Sequence, residues 1–366
     1  MTEYLHISHP FALESGESLP SLTAAYNTYG HLNAAGDNVI WICHALTANS
    51  DAEDWWPGLV GEGFTIDPSK YFIVCVNMLG SSYGSTSPKS LNPETDKAYG
   101  LEFPLVTTRD QARFFDLVAN HLGILRVRLL MGGSMGGQCA GEWACLNPKR
   151  FDLLCLLATN ARHSPYGIAF NESQRMALRA DPTLGTDAPD AGRLGLEAAR
   201  SMAVLSYRHY RTYHATQQQP NPEDFDDFRA SSYQRYQGYK LWKRFDPTCY
   251  YALTRGMDSH SLGRGRGGEA AALQTITAPT LIISIDTDVL FPTEEQSLLS
   301  RYIPNSRLDV MSSDYGHDGF LVETPTIGLL LADFLADQLQ IDAGTKHAFT
   351  DGLSGRTFAI PGTEEV

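Results

Sequence analysis

One stretch, Leu129 to Gln138 (LLMGGSMGGQ), constrains this chain more than any other. An apolar run from Val127 to Met131, interrupted only by Arg128, leads straight into Gly132-Gly133-Ser134-Met135-Gly136-Gly137, and a small, helix-tolerant segment (QCAGEWACLNP) follows. The order reads as buried strand, sharp turn and helix, with a serine at the apex. Glycines flank that serine because the strand and helix backbones pass too close for a Cβ, and because the apex backbone is strained. The pattern is G-x-S-x-G, an elbow that presents a serine hydroxyl at the end of a sheet. Glycine-rich turns of this kind also bind phosphate at helix N-termini. An acid and then a histidine, each after a later strand, would separate the two readings.

The rest of the chain supplies a sheet for that strand. Residues 4–30 alternate apolar and polar positions, as antiparallel edge strands do. Val39 to Cys43 is continuously apolar, the mark of a strand buried on both faces, and Tyr71 to Gly80 is a second such run. A long loop rich in Gly, Ser, Asn and Pro spans Ser81 to Tyr99. TTRDQARFFDLVANHLGI has helical spacing, N-cap candidates in Thr107 and Thr108, and a stop at Gly123. Beyond the elbow, a strand from Phe151 ends at Ala158 or Thr159. TLIISI, from Thr280, and SRLDVMSS are further strands, separated by a helix from Glu294 to Tyr302, and a last apolar helix covers about Thr326 to Gln340. Alternating strands and helices imply a doubly wound, mostly parallel sheet.

Between Arg162 and Gln274 roughly 110 residues pass with no strong strand, and aromatic-rich amphipathic helices take their place. Sheet-covering crossovers are far shorter, so this block reads as a helical lid inserted into an α/β core. The expected organisation is an N-terminal core part at 1–160, the lid at 161–275, a C-terminal core part at 276–342 and a tail at 343–366.

The formal net charge of −14 disfavours nucleic acid and anionic membrane surfaces as partners. The first twenty residues lack the basic and apolar regions of a secretory signal, and no window approaches the ~20 apolar residues of a membrane span. The six cysteines (Cys43, Cys75, Cys139, Cys145, Cys155, Cys249) lie mostly in apolar stretches without a CxxC pair. They read as reduced, buried thiols of a cytoplasmic protein, with no metal site.

The acid and the base do follow the serine. Asp286 and Asp288 follow the TLIISI strand, and His317 follows the strand after it. A serine hydroxyl is a poor nucleophile without a base in reach, and that base needs a partner to fix its tautomer. Spacing leaves both aspartates open, with a slight lean to Asp288, which lies further into the loop. Either one could instead cap the turn or helix that follows.

Several longer strings go beyond this pattern: HALT after the Val39–Cys43 strand, GGSMGG, GLEFPLVTTRD, NARHSPYGIAFNESQRMAL, YQRYQG, TDVLFP and YGHDGFLVE. Together, from about Tyr26 to Leu335, they resemble the homoserine O-acetyltransferase family, which has the α/β-hydrolase fold. The resemblance implies Ser134 as nucleophile, Asp288 in TDVLFP as triad acid and His317 as base. It implies an oxyanion hole built from the backbone N–H groups of Leu46 and Met135. Arg200 matches a residue that grips the substrate carboxylate, Tyr207 one that lines the same pocket, and Asp318 one that receives the substrate ammonium. The implied reaction moves an acetyl group from acetyl-CoA, a co-substrate and not a bound cofactor, to L-homoserine in methionine biosynthesis, by a ping-pong route in a homodimer. The family's HALTG is HALTA here, with Ala48 after Thr47. Related members take serine as acceptor or a succinyl donor, and an esterase can use the same triad, so these remain alternatives.

Overall fold

The computed structural model describes residues 1–344. Eight strands form the central sheet: β1 (Glu3–Ile7), β2 (Leu22–Tyr29), β3 (Val39–Cys43), β4 (Phe72–Val76), β5 (Val127–Gly133), β6 (Phe151–Leu157), β7 (Thr280–Ile285) and β8 (Ser306–Met311). Their order across the sheet is β1-β2-β4-β3-β5-β6-β7-β8. β2 runs antiparallel to β1 and β4. From β4 to β8 every pairing is parallel. The carboxyl ends of β3 through β8 therefore share one edge, where open α/β sheets carry their sites.

The all-apolar strands feed two cores by simple alternation. Trp41, Val74 and Leu130 point to one face, joining Phe114, Phe115 and Trp143. Ile40, Ile42, Leu129 and Met131 point to the other, with Ile327 and Leu331 from the last helix. On the first face the Trp41 and Trp143 rings meet edge to face at 4.9 Å, and Trp143 meets Phe151 at 5.1 Å. Edge-to-face pairs of this kind add to the stabilisation from area burial.

Helix α1 (Thr108–His121) starts on Thr107, whose hydroxyl accepts from the Asp110 N–H while the Asp110 carboxylate accepts from the Thr107 N–H. This reciprocal cap selects Thr107 over Thr108. The elbow helix α2 (Met135–Leu146) is buried along nearly its whole length. After β6 come α3 (Pro165–Ala180), α4 (Arg193–Tyr207), α5 (Tyr210–Gln217), α6 (Arg229–Trp242), α7 (Pro247–Asp258) and a short helix, Glu269–Leu273. Among the described residues here the only β pairing is a single bridge, Arg162 to Ser261. Proline at the first turn opens α3 and α7, and Ser164 and Asp246 cap them. The core resumes with β7, α8 (Thr293–Tyr302), β8 and α9 (Thr324–Gly344).

Three boundaries differ from the sequence reading. α9 continues past Gln340 to Gly344, into the first residues of the expected tail, and 345–366 lie outside the described residues. The loop between Ser81 and Tyr99 holds a hairpin, Leu91–Asn92 with Lys97–Ala98, whose turn ends on Asp96 at positive φ. A single helical turn at Ala52–Trp55 follows the HALT loop, too short to leave a period in the sequence.

Candidate active site

Ser134 sits at φ 57°, ψ −127°, outside the usual regions for a residue with a Cβ. Its surroundings enforce this. A Cβ on Gly132 would overlap the Gly136 backbone, and one on Gly136 would overlap the carbonyl of Cys43 at the end of β3. Strand, elbow helix and neighbouring strand thus interlock through bare backbone, and the serine is driven to the apex.

His317 lies on a single turn after β8, Gly316–Asp318. Its Nε2 is 2.8 Å from Ser134 Oγ and its Nδ1 is 2.6 Å from Asp288 Oδ2. All three residues are buried. The other carboxylate oxygen of Asp288 accepts from the N–H groups of Leu290 and Phe291 at 2.8 and 2.9 Å. Asp288 is thereby aimed at Nδ1, which donates to it, and Nε2 is left to accept from the serine. Phe291 stacks on the imidazole at 5.0 Å and Phe320 meets it edge-on at 5.1 Å, fixing the ring plane. Asp286 takes another role: it is exposed, and it accepts from the Ser313 N–H, tying β7 to the loop that carries the histidine. Of the two aspartates, Asp288 is the one hydrogen-bonded to His317.

Leu46 and Met135 are buried beside the elbow, and neither N–H donates to a described group. The Leu46 loop is held by His44, a residue that sequence reasoning passed over. Its Nδ1 donates to the Ala45 carbonyl at 2.8 Å and its Nε2 accepts from the Met78 N–H at 3.0 Å. Burial lowers its pKa to about 4, so the ring stays neutral and keeps both bonds.

The lid brings the remaining residues to this site through the end of α4. A Cβ on Gly316 would press on the backbone of Tyr207, Arg208 and His209, so α4 seats directly on the histidine turn. The Tyr207 ring lies 5.8 Å from the imidazole. The Arg200 guanidinium lies over the Tyr207 ring at 5.2 Å and has no ion pair among the described residues. Burial pushes the Tyr207 phenol up, Arg200 opposing and Asp318 adding to the rise. Asp318 accepts from Arg208 Nε at 3.1 Å. Sequence reasoning missed Arg208, which lies just beyond the end of α4 with extended backbone, where no helical spacing from Arg200 marks it.

Behind the acid lies a second carboxylate that was also missed. Glu295, on α8, accepts from Asn160 at 2.7 Å, and Asn160 in turn accepts from Gln138 of the elbow helix at 2.9 Å. Burial pushes Glu295 up to about 7, with Asp288 adding to the rise.

A buried serine, imidazole and carboxylate in line, at the carboxyl edge of this sheet and beneath a helical lid, define the class: an α/β-hydrolase-fold chain equipped for covalent acyl chemistry. A sequence profile described as the alpha/beta hydrolase fold matches residues 38–324. The chain is 46% identical over 332 residues to the homoserine O-acetyltransferase of Cyclobacterium marinum, covering 91% of this chain and 94% of that one. It is 44% identical over 339 residues to the homoserine O-acetyltransferase of Chlorobium luteolum, with coverage of 91% and 94%. The crystal structure of homoserine O-acetyltransferase from Bacillus anthracis has the same fold, with a TM-score of 0.85 at 24% identity over 92% of this chain and 97% of that one. The chain belongs to the homoserine O-acetyltransferase family.

Proposed function

We propose that this protein transfers an acetyl group from acetyl-CoA to the hydroxyl of L-homoserine through an acetyl-Ser134 intermediate. The observation that carries the reading is the continuous contact from Ser134 through His317 to Asp288, with Asp318 next to the histidine and Arg200 brought in on the lid. The names of relatives 41–46% identical to this chain support the acetyl group and the acceptor.

In the first half-reaction Ser134 Oγ attacks the thioester carbonyl while His317 Nε2 takes its proton. The oxyanion is held by the Leu46 and Met135 N–H groups, and CoA leaves as its thiol with the proton from His317. In the second half His317 deprotonates the homoserine hydroxyl, which attacks the acetyl-serine. Collapse of that intermediate releases O-acetylhomoserine and returns the proton to Ser134. One histidine serves both halves by microscopic reversibility. Arg200, without a carboxylate partner among the described residues, offers its fork to the acceptor's carboxylate, and Asp318 takes the ammonium, which raises the local concentration of the hydroxyl. Enclosure under the lid keeps water from the acetyl-enzyme.

The same reading places the protein in methionine biosynthesis in the cytoplasm, which its six free, buried cysteines support. It also makes the protein a homodimer through the lid, supported by Leu194, Leu205 and Tyr236, apolar side chains exposed on α4 and α6. The test is a panel of homoserine and serine against acetyl-CoA and succinyl-CoA. CoA release that depends on homoserine and is fastest with acetyl-CoA is expected. Release that ignores the acceptor would make the protein an esterase instead.

A further inference from the structure

The loop after β4, with its Leu91–Ala98 hairpin, forms one wall of a groove of about 1070 Å³; residues 185–191 between α3 and α4 and the turn joining α6 to α7 form the rest. Its inner end touches the proposed oxyanion loop. Arg244 Nη1 donates to the Thr47 carbonyl at 2.5 Å and to the Tyr83 hydroxyl at 2.6 Å. The Asp246 N–H donates to Ser82 Oγ at 2.9 Å, pinning the turn to the loop after β4. Thr47 adjoins Leu46. Through Arg244 the groove wall contacts the loop after β3, a strand that pairs with the elbow strand β5.

The charge of this groove opposes that of the molecule. The chain carries seven lysines and a formal charge of −14, yet Lys89, Lys97 and Lys243 all line this one groove. None of the three has a carboxylate partner among the described residues, and Arg244 spends its hydrogen bonds on neutral oxygens. Of the three aspartates on the lining, Asp246 is committed to capping α7, which leaves Asp96 and Asp187 against four cations. A cationic cleft held against an anionic surface is what a multiply charged anion requires. Trp242 adds a half-buried indole to the lining, with the Arg193 guanidinium over its ring at 4.5 Å and the Lys243 ammonium over it at 5.3 Å. Aromatic surface beside cations favours a nucleobase next to its phosphates.

We infer that this groove seats the phosphorylated nucleotide end of the acyl-CoA donor, with the pantetheine arm passing Arg244 and the HALT loop to bring the thioester to Ser134. The inference rests on the proposed thioester donor and adds where the donor is recognised. The groove's contacts to the nucleotide are the same in ground and transition state, a uniform binding whose loss raises KM and leaves kcat.

The test compares acetyl-CoA with S-acetyl-pantetheine, which has the same thioester and arm but no nucleotide, in the wild type and in Lys89→Glu/Lys243→Glu, two changes at exposed positions. The expected results are a KM for acetyl-CoA raised about tenfold or more in the variant, kcat unchanged, and the KM for S-acetyl-pantetheine unmoved. In the wild type, 3′,5′-ADP should compete with acetyl-CoA and not with S-acetyl-pantetheine. Equal use of both thioesters by the wild type, or an unchanged acetyl-CoA KM in the variant, would overturn the groove and leave the transferase reading standing. Absence of homoserine-dependent turnover with either thioester would overturn the transferase reading itself.

Discussion

Arg208 donates to Asp318 at 3.1 Å, so the carboxylate proposed to receive the acceptor's ammonium is held in place before any substrate arrives. One carboxylate oxygen is spent on Arg208 and the other is left for the ammonium, while Arg200 has no ion pair among the described residues. The histidine turn and the lid thus present an oriented anion and an uncommitted cation. That pairing suits a zwitterion better than either single charge.

The consequence is a binding defect that spares the chemistry. Asp318→Asn removes a charge-assisted hydrogen bond, worth about 1.5–3 kcal/mol, and should raise the KM for homoserine by roughly tenfold to a hundredfold. Pre-steady-state acetylation of Ser134, measured without homoserine, should keep its rate. Loss of acetylation in this variant would show that Asp318 supports His317 and not the acceptor.

Asp288 and Asp286 stand two residues apart and should differ by orders of magnitude. Asp288→Asn leaves the histidine in the wrong tautomer and should cost on the order of 10⁴ in kcat. Asp286→Asn disturbs only the tether to Ser313 and should stay within about tenfold, the effect of ~1.4 kcal/mol. Steady-state rates for the two variants decide it, and a reversed ranking would refute the assignment of the acid.

Glu295 makes stability depend on pH. Its carboxyl has an ordinary value of 4.5 and is pushed up to about 7 in the folded protein, chiefly by burial. A raised folded pKa means that the native state holds the proton more tightly than the unfolded chain does. The contribution is fully present below about 4.5 and is lost as pH rises through about 7. Glu295→Gln should flatten the fall in Tm between pH 5 and 8, measured by thermal denaturation. An unaltered pH profile would show that Glu295 is not the group responsible.

His44→Ala would leave the Met78 N–H buried without its acceptor, at about 1–3 kcal/mol of stability. It would also free the loop that carries the Leu46 N–H. The expected result is a lower Tm together with a fall in kcat larger than any rise in KM. A lower Tm with unchanged kcat would confine His44 to a structural role.

Much of this arrangement was legible in the chain. All-apolar runs such as Val39–Cys43 announce strands that feed two cores, and the glycines around Ser134 announce a turn with no room for side chains. The order of serine, acid and base needs no structure to be read. Three other features were hidden for identifiable reasons. Asp286 and Asp288 differ in which backbone N–H groups they meet, a matter of loop conformation that spacing does not encode. Arg208 pairs across 110 residues of sequence with Asp318, and His44 acts through the Met78 backbone, which carries no residue-specific signal. The Leu91–Ala98 hairpin is too short for a period-two pattern to register.

The central claim is that Ser134 carries the acetyl group between two substrates. Intact-protein mass spectrometry after mixing with acetyl-CoA alone should show one acetyl adduct, mapped to Ser134 and absent from Ser134→Ala. Adding homoserine should discharge it with matching formation of O-acetylhomoserine. An enzyme that acetylates homoserine at full rate with Ser134→Ala, or whose adduct discharges only to acetate, would contradict the account.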